Sequence, residues 1–397
     1  NVVIRTRPIA LSQIIRRLFE KLLLNHWTNS AANTWLELHA TQAGFRKGYS
    51  TMTHILTADE LIRKRSVTPI FLDLKAAFDS VHWSDMKAVL IAKGCPNVCL
   101  NLIASLCFRP ANLRLSINRS EATLIHTFKG LFQGGVLSPI LFDLYIDPLA
   151  TQVNLDTSPN APNGLFFADD VSLYPTTPLH ASILLNVCYS WSEQMRLKWN
   201  PSKCGSINNS TPFQIGGSLI PIVTTFKFLG VPFDSRGALW LTHFCSLKRK
   251  TETFLKSLDS NAWSYRARLV IFKTFIRPLF EYCLSLVYLW AILDAARLKE
   301  FLGCYKQLMQ QCLQFVFITH RSLDLLHSLS GLGSLTFRLE YHISGLSRHI
   351  DAASASNPLL ALINSTLSAN THQFLLPLVK KAPLYLEFKQ FNQAQQS

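Results

Sequence analysis

Three carboxylates stand out by their settings. Asp73 lies near the end of a short apolar run, Thr68-Pro69-Ile70-Phe71-Leu72-Asp73-Leu74. Asp169-Asp170 divide two others, Leu165-Phe166-Phe167-Ala168 and Val171-Ser172-Leu173-Tyr174. Neighbouring carboxylates repel and raise each other's proton affinity unless a cation compensates. Mg²⁺ suits such a group, being a hard ion that takes a few carboxylates, several waters and substrate phosphates. Two such ions can lower the pKa of an attacking hydroxyl and neutralise a leaving pyrophosphate in an in-line displacement. Asp-Asp alone is a common, solvated turn dipeptide. What sets this one apart is that both carboxylate sites border strongly apolar strands in a basic chain.

The elements that must position these groups can be read from local pattern. The run at Asp73 reads as a buried strand with a carboxylate at its C-terminal end. The two runs around 169–170 read as a hairpin with both carboxylates at its tip. From Arg7 to about Arg65 the pattern is helical, interrupted by a Gly-rich basic turn from Gln42 to Thr51. A helix is expected from Ser84 as N-cap to Lys93, with Gly94 just past its end. A second Gly-rich loop, Gly130–Ser138, leads into Pro139, well placed in the first turn of a helix. Apolar residues at 183, 184, 187, 188, 191 and 195 mark an amphipathic helix. A second hairpin is expected around Phe226–Val231, and beyond Trp240 the pattern is helical nearly to the end. Strands alternating with helices to about 235, then helices alone, predict an α+β unit followed by an α unit.

Composition narrows the function classes. Of 397 residues, 39 are Lys or Arg and 24 Asp or Glu, for a formal charge of +15. With 48% hydrophobic and 16% charged residues, intrinsic disorder is excluded, and two or three domains are expected. The longest apolar run, Tyr282–Leu293, is too short for the roughly 20 residues of a bilayer span, so a membrane protein is not expected. No secretory presequence opens the chain. Nine cysteines without a C-x-x-C pair point to buried thiols in a reducing compartment. The basic excess calls for a polyanion such as nucleic acid. Between Ser246 and Arg277 eight basic residues (248, 249, 250, 256, 266, 268, 273 and 277) face only Glu252 and Asp259. Phe254, Trp263, Tyr265 and Phe272 are interleaved among them, a pattern able to follow a phosphate backbone without reading sequence.

Taken together, the motifs resemble the reverse transcriptase family, in its non-LTR (LINE-like) retrotransposon branch. Phe71-Leu72-Asp73-Leu74-Lys75-Ala76-Ala77-Phe78-Asp79-Ser80-Val81 is similar to motif A. Gln133-Gly134-Gly135-Val136-Leu137-Ser138-Pro139 followed by Ile140-Leu141-Phe142 is similar to motif B, and Phe167-Ala168-Asp169-Asp170 to motif C. Leu197–Cys204 resembles motif D and Phe228-Leu229-Gly230-Val231 motif E. Arg7-Pro8-Ile9 and Gln42-Ala43-Gly44-Phe45-Arg46 resemble the two fingers motifs. Seven motifs in family order are far more specific than any one of them.

The resemblance implies an α+β right-hand polymerase: fingers over 1–66, a palm with a split βαβ sheet over 67–235, a helical thumb over 236–300 and a helical C-terminal extension over 301–397. It implies RNA-directed DNA polymerase activity on an RNA template and a DNA primer with dNTPs, using two Mg²⁺ ions, or Mn²⁺. Asp73 and Asp169 are then metal ligands with the Leu74 carbonyl, and Asp170 supports the site. Lys203 is the proton donor to pyrophosphate, against a solvated lysine beside a turn. Phe78 blocks a ribose 2′-OH, against a plain core Phe. Arg7 and Arg46 bind triphosphate and template, a role the guanidinium fork suits, with a surface charge the rival reading for Arg46. Gln133, Gly134 and Gly135 approach the nascent base pair. Leu229, Gly230, Lys248, Arg249, Lys250, Arg266 and Arg268 contact template–primer duplex.

Other readings stay open beside this one. A decayed fragment could bind RNA without catalysis, and a metal-dependent phosphohydrolase could use the same carboxylates but would leave Phe78 and Gln133 without a task. Cys304, Cys312, His320 and His327 fit no zinc spacing. Gly44–Thr51 resembles a P-loop only loosely, because it lacks the Lys before Ser/Thr. Asn1 in place of Met, a start almost inside the first fingers motif and the lack of an endonuclease-like segment suggest a truncated retrotransposon copy. An intracellular location, nuclear or cytoplasmic, is expected.

Overall fold

The computed structural model describes residues 12–30, 33–64, 67–108, 111–115, 123–155, 157, 161–207, 212–292, 294–318, 342, 345 and 346. Its packing divides into two units, Asn1–His54 with Glu60–Phe226, and Ile55–Asp59 with Lys227–Ser397.

In the first unit, helix α1 covers Ile14–Thr28 and α2 runs over Thr51–Lys64, its middle residues belonging to the other unit. Then come β1 (Ile70–Asp73), the single turn α3 (Ala77–Ser80), α4 (Trp83–Ala92), α5 (Asn97–Cys107) and the hairpin β2 (Ala111–Leu115) with β3 (Thr123–Thr127). Helix α6 (Ser138–Val153), strands β4 (Gly164–Phe167) and β5 (Asp170–Leu173), and α7 (Pro178–Gln194) follow. The unit closes with β6 (Gly205–Ser206), β7 (Phe213–Ile215) and β8 (Ser218–Ile220).

The central sheet has the order β4-β5-β1-β6, and its strand pairs are antiparallel. β4 therefore runs parallel to β1 with β5 inserted between them, the split βαβ arrangement expected from sequence. β1 is apolar at successive positions because both of its faces are covered. Ile70 and Leu72 enter the main core with Phe142, Tyr145, Val171 and Leu173. Phe71 points to the other face and stacks on Phe226 with ring centroids 4.5 Å apart. That ring crosses Gly205, where an added Cβ would lie 2.5 Å from Phe226 Cδ2. Helix α6 is buried along most of its length, with its last turn reaching the surface at Thr151 and Gln152, as a largely apolar helix enclosed by a core requires.

Two boundaries differ from the sequence reading. Helix α4 starts two residues early, with His82 rather than Ser84 as N-cap; the Ser84 hydroxyl instead bonds to Asp85 Oδ1 and accepts from Arg196 Nη2 at 2.6 Å. The central hairpin turns on Ala168-Asp169, so that Phe167 faces Asp170 and Asp170 is already the first residue of β5.

In the second unit, β9 (Phe226–Phe228), β10 (Val231–Asp234) and β11 (Gly237–Ala238) form a small sheet, anchored where the Ala238 amide donates to Asp59 Oδ1 at 2.7 Å. Leu229 and Gly230 both have positive φ, as the tight two-residue hairpin demands, and the Tyr282 hydroxyl donates to the Leu229 carbonyl at 2.6 Å. Helices α8 (Trp240–Lys256), α9 (Tyr265–Ile271), α10 (Arg277–Glu281), α11 (Leu284–Ile292) and α12 (Ala295–Phe317) complete it, with a π turn at Phe272–Ile276 ahead of Pro278. Phe244, Phe280, Phe301 and Tyr305 interlock at their core. The residues past 318 lie almost wholly outside the described set, so the extension expected over 301–397 is represented by α12. No helix among the described residues is long and apolar enough to cross a membrane.

Candidate active site

The sheet brings two of the three predicted carboxylates together. Asp73, last in β1, pairs in register with Asp170, first in β5, so both side chains leave the face that carries Phe71. Asp169 sits beside them in the turn. Like charges directly opposite each other cost stability, which makes a compensating cation at this edge physically favourable. Asp73 and Asp169 are half-buried and Asp170 is exposed.

The segment 198–204 is laid along the other edge of Asp73. The Asn200 amide donates to the Asp73 carbonyl at 2.8 Å and Lys75 donates to the Lys198 carbonyl at 2.8 Å, while Leu74 bridges Trp199. Because backbone groups alternate along a strand, this leaves the Leu74 carbonyl turned away from Trp199, toward the side of the Asp169 turn. Asn200 Nδ2 lies 3.3 Å and Lys203 Nζ 3.5 Å from Asp73 Oδ2. The Asp73 amide donates to Cys204 Sγ at 3.5 Å. Burial pushes the Cys204 thiol up to about 11, so it stays neutral, and the anionic donors at this edge are oxygens. Oxygen donors of this kind suit Mg²⁺ or Mn²⁺ rather than a thiophilic metal. Among the described residues, no group of three or more His, Cys, Asp or Glu side chains already converges on one metal position.

Two Gly-rich segments flank this edge in sequence, and the first is tied to the hairpin directly. The Phe166 amide donates to the Thr41 carbonyl and the Ala43 amide to the Phe166 carbonyl, each at 2.9 Å. Gln42 Oε1 accepts from the Ala168 and Gly44 amides at 3.1 and 2.9 Å. Arg46 folds back on this turn: Nη1 donates to the His39 and Gln42 carbonyls at 2.9 and 2.7 Å, and the guanidinium lies 4.0 Å over the Tyr49 ring. Much of its donor capacity is therefore spent within the turn.

In the second segment, Gly130 and Gly134 have φ of 92° and 105°, and a Cβ on Gly135 would lie 2.6 Å from Ser138 Oγ. The loop is fastened to the Phe78 region by the Leu131 amide on the Phe78 carbonyl and the Gly130 amide on the Val81 carbonyl, both 2.8 Å. Gln133 is half-buried and Gly134 exposed. Phe78 is half-buried and stacks on Phe142 at 4.5 Å, leaving it part core residue and part surface. Sequence reasoning missed Glu20. Its buried carboxylate accepts from Arg16 Nε at 2.7 Å and from the Val136 amide at 2.9 Å, fixing the loop from α1. The spacing Arg16 to Glu20, a helical i,i+4 pair, was the available signal.

Buried polar groups collect behind the hairpin. Asp143 is fully buried, and both carboxylate oxygens are without a hydrogen-bond partner among the described residues. Burial, aided by Asp147 and opposed by Arg46, pushes its pKa up to about 8. Asp147 is satisfied by Lys93 Nζ and the His39 amide, both at 2.6 Å.

The remaining predicted residues lie in the second unit or outside the described set. Arg7 is outside it, as are His320 and His327. Leu229 and Gly230 form the hairpin tip already described. Arg249, Lys250 and Arg266 are exposed, and Lys248 donates to Gln307 Oε1 at 3.0 Å. Arg268 corrects the sequence reading: it is buried, and its guanidinium donates to the carbonyls of Val316 at 2.8 Å, Ser260 at 3.2 Å and Trp263. A charge so enclosed braces α9 against the end of α12 and is not presented to a phosphate. Phe272 is likewise core, whereas Trp263 and Tyr265 stay exposed.

Comparison with known proteins bears on the first unit. Residues 4–233 match the family described as reverse transcriptase (RNA-dependent DNA polymerase). The chain is 26% identical over 261 residues to a Retrovirus-related Pol polyprotein from type-1 retrotransposable element R2 of Popillia japonica, covering 59% of this chain and 42% of that one. It is 22% identical over 306 residues to the RNA-directed DNA polymerase from mobile element jockey of Drosophila melanogaster, covering 70% and 32%. An apo telomerase structure from Candida tropicalis aligns with a TM-score of 0.40 at 13% identity, over 88% of this chain and 61% of that one. The chain thus spans less than half the length of these two retrotransposon relatives. With the family match covering more than half of its residues, this chain belongs to the reverse transcriptase family, of the expected α+β, right-hand-polymerase fold class, with relatives among non-LTR retrotransposons.

Proposed function

We propose that this chain carries out RNA-templated DNA synthesis, joining a dNTP to the 3′-OH of a DNA primer. The observation that carries the reading is the pairing of Asp73 with Asp170 across β1 and β5, with Asp169 in the adjoining turn, inside the region matched by the family. Asp73, Asp169 and the Leu74 carbonyl would hold two Mg²⁺ ions, with Asp170 supporting them; Mn²⁺ fits the same oxygens. Such ions, when bound, lower the pKa of the attacking hydroxyl and neutralise the leaving pyrophosphate.

The other residues bind, orient and select. The primer 3′-oxygen forms a bond to the α-phosphorus as the bond to the bridging oxygen of pyrophosphate breaks. Lys203, an exposed side chain 3.5 Å from Asp73, would give pyrophosphate a proton. Phe78, held from behind by Phe142, excludes a 2′-hydroxyl by steric contact. Gln133, Gly134 and Gly135 let the backbone approach the nascent pair, which side chains at 134 and 135 would obstruct. Arg7, and Arg46 with the donors it does not spend within its own turn, would bind triphosphate and template, and Arg249, Lys250 and Arg266, with Lys248, hold the duplex backbone. In this reading residues 1–66 are fingers, 67–235 palm and 236–300 thumb.

Primer extension on poly(rA)/oligo(dT) with dTTP and Mg²⁺ tests the reading. Extension should depend on the divalent ion, and Asp73→Ala or Asp169→Ala should abolish it with duplex binding retained. Duplex binding without extension by the wild-type chain would instead support a nucleic-acid-binding role.

A further inference from the structure

The residue immediately before Asp169 is held in a conformation it would not adopt unaided. Ala168 has φ of +52° at the first position of a two-residue hairpin turn, where glycine is the usual occupant. Its amide is received by Gln42 Oε1, which is fully buried and accepts the Gly44 amide as well. Around that contact, Thr41–Ala43 runs beside β4 as a short parallel rung through Phe166. The rung is fixed from its far side, where His54 Nε2 donates to the Thr41 carbonyl at 2.8 Å and the His54 ring meets Phe167 edge-on. Gly44 completes the fit. A Cβ there would lie 2.6 Å from the Ala168 nitrogen and 2.9 Å from Asp143 Oδ1, so the turn and the rung touch without a side chain between them.

We infer that Gln42 is a positioning residue for Asp169: by capping the Ala168 amide from the Thr41–Ala43 rung, it holds the turn in the left-handed form that aims the Asp169 carboxylate at the divalent cation. This rests on the reading of Asp169 as a metal ligand. Partners that orient a ligand in this way typically change metal affinity when removed, with the ligand itself still present.

The test is Mn²⁺ binding to the full chain, read as loss of the free-ion electron paramagnetic resonance signal, with melting followed by circular dichroism. Gln42→Met removes the acceptor at similar volume and should weaken Mn²⁺ binding by about 10-fold while the melt stays cooperative. Gln42→Glu keeps an oxygen acceptor at the same reach and should restore most of the affinity. Adding Ala168→Gly to Gln42→Met should recover part of the loss, because glycine takes positive φ without the Cβ penalty. Should Gln42→Met fail to fold, Gln42→Asn, a shorter amide, enters the same cycle. Wild-type affinity in the folded variant, or a loss that Ala168→Gly leaves untouched, overturns the positioning role. Asp169→Asn separates the two layers. If it binds Mn²⁺ like the wild type, the ligand reading falls and this inference with it; if it alone weakens binding, the ligand reading stands and only the role of Gln42 fails.

Discussion

Asp143→Asn should change how the protein's stability depends on pH, and the size of the change follows from the environment of that residue. The Asp143 carboxyl is fully buried, with both oxygens unpartnered among the described residues, and its pKa stands at about 8 against 3.8 for an ordinary Asp. Because the folded value is raised, the unfolded chain binds fewer protons in the window between them, and stability must fall as pH rises from about 4 to about 8. Each pH step in that window costs about 1.4 kcal/mol from this group alone. Asparagine has nearly the same volume and no titration. It carries a fixed cost for its amide hydrogens, and that cost cancels when the two proteins are compared at several pH values. Urea unfolding of both chains at pH 5, 6 and 7 should therefore show the stability difference moving in favour of Asn by roughly 3 kcal/mol from pH 5 to pH 7. A difference that stays constant over that range would refute the assignment of a neutral carboxyl at 143.

Three further outcomes can be checked by separate assays. Phe78→Val should admit rNTPs in primer extension, with dNTP use falling less than the gain in rNTP use; unchanged sugar discrimination would place the gate at another residue. Glu20→Ala strands the Val136 amide and Arg16, a loss of roughly 1–3 kcal/mol, and should raise KM for dTTP through the loosened Gly130–Ser138 loop, with Glu20→Gln milder because it keeps an acceptor. Arg249→Ala or Lys250→Ala should lower the slope of duplex affinity against salt by about one while leaving the melting temperature unchanged. Arg268→Ala should do the reverse, lowering the melting temperature while leaving the salt slope in place, because it removes the donors to three carbonyls, that of Val316 buried.

Residues 70–74 and 164–174 show how much of the site is written locally. A strand buried on both faces must be apolar at consecutive positions, so the run ending at Asp73 announced itself. Two apolar runs parted by short turn residues announced the hairpin. The error of one residue at its tip came from conformational energy that pattern does not carry. Ala168 has a left-handed φ, and its amide is received by Gln42, distant in sequence. Arg268 fails for a similar reason: charge density along 246–277 says nothing of which face is enclosed, and Val316, on α12, is what encloses it. Glu20 was invisible as a loop anchor because its partner, the Val136 amide, is backbone and lies far along the chain.

The chain's own order of residues determined the basic balance, the strands that carry the carboxylates, the ordered motifs that place it among reverse transcriptases, and the switch to helices after about 235. These are properties of composition, periodicity and spacing, which act over a few residues at a time. Only the tertiary structure decided that Asp73 faces Asp170 while Lys203 and Asn200 approach Asp73, that Asp143 is sealed from water, and that one arginine of a basic run is structural. Those outcomes depend on register and burial. Both are set when distant segments compete for the same hydrogen bonds and the same apolar cover, and that competition is settled only in the folded chain.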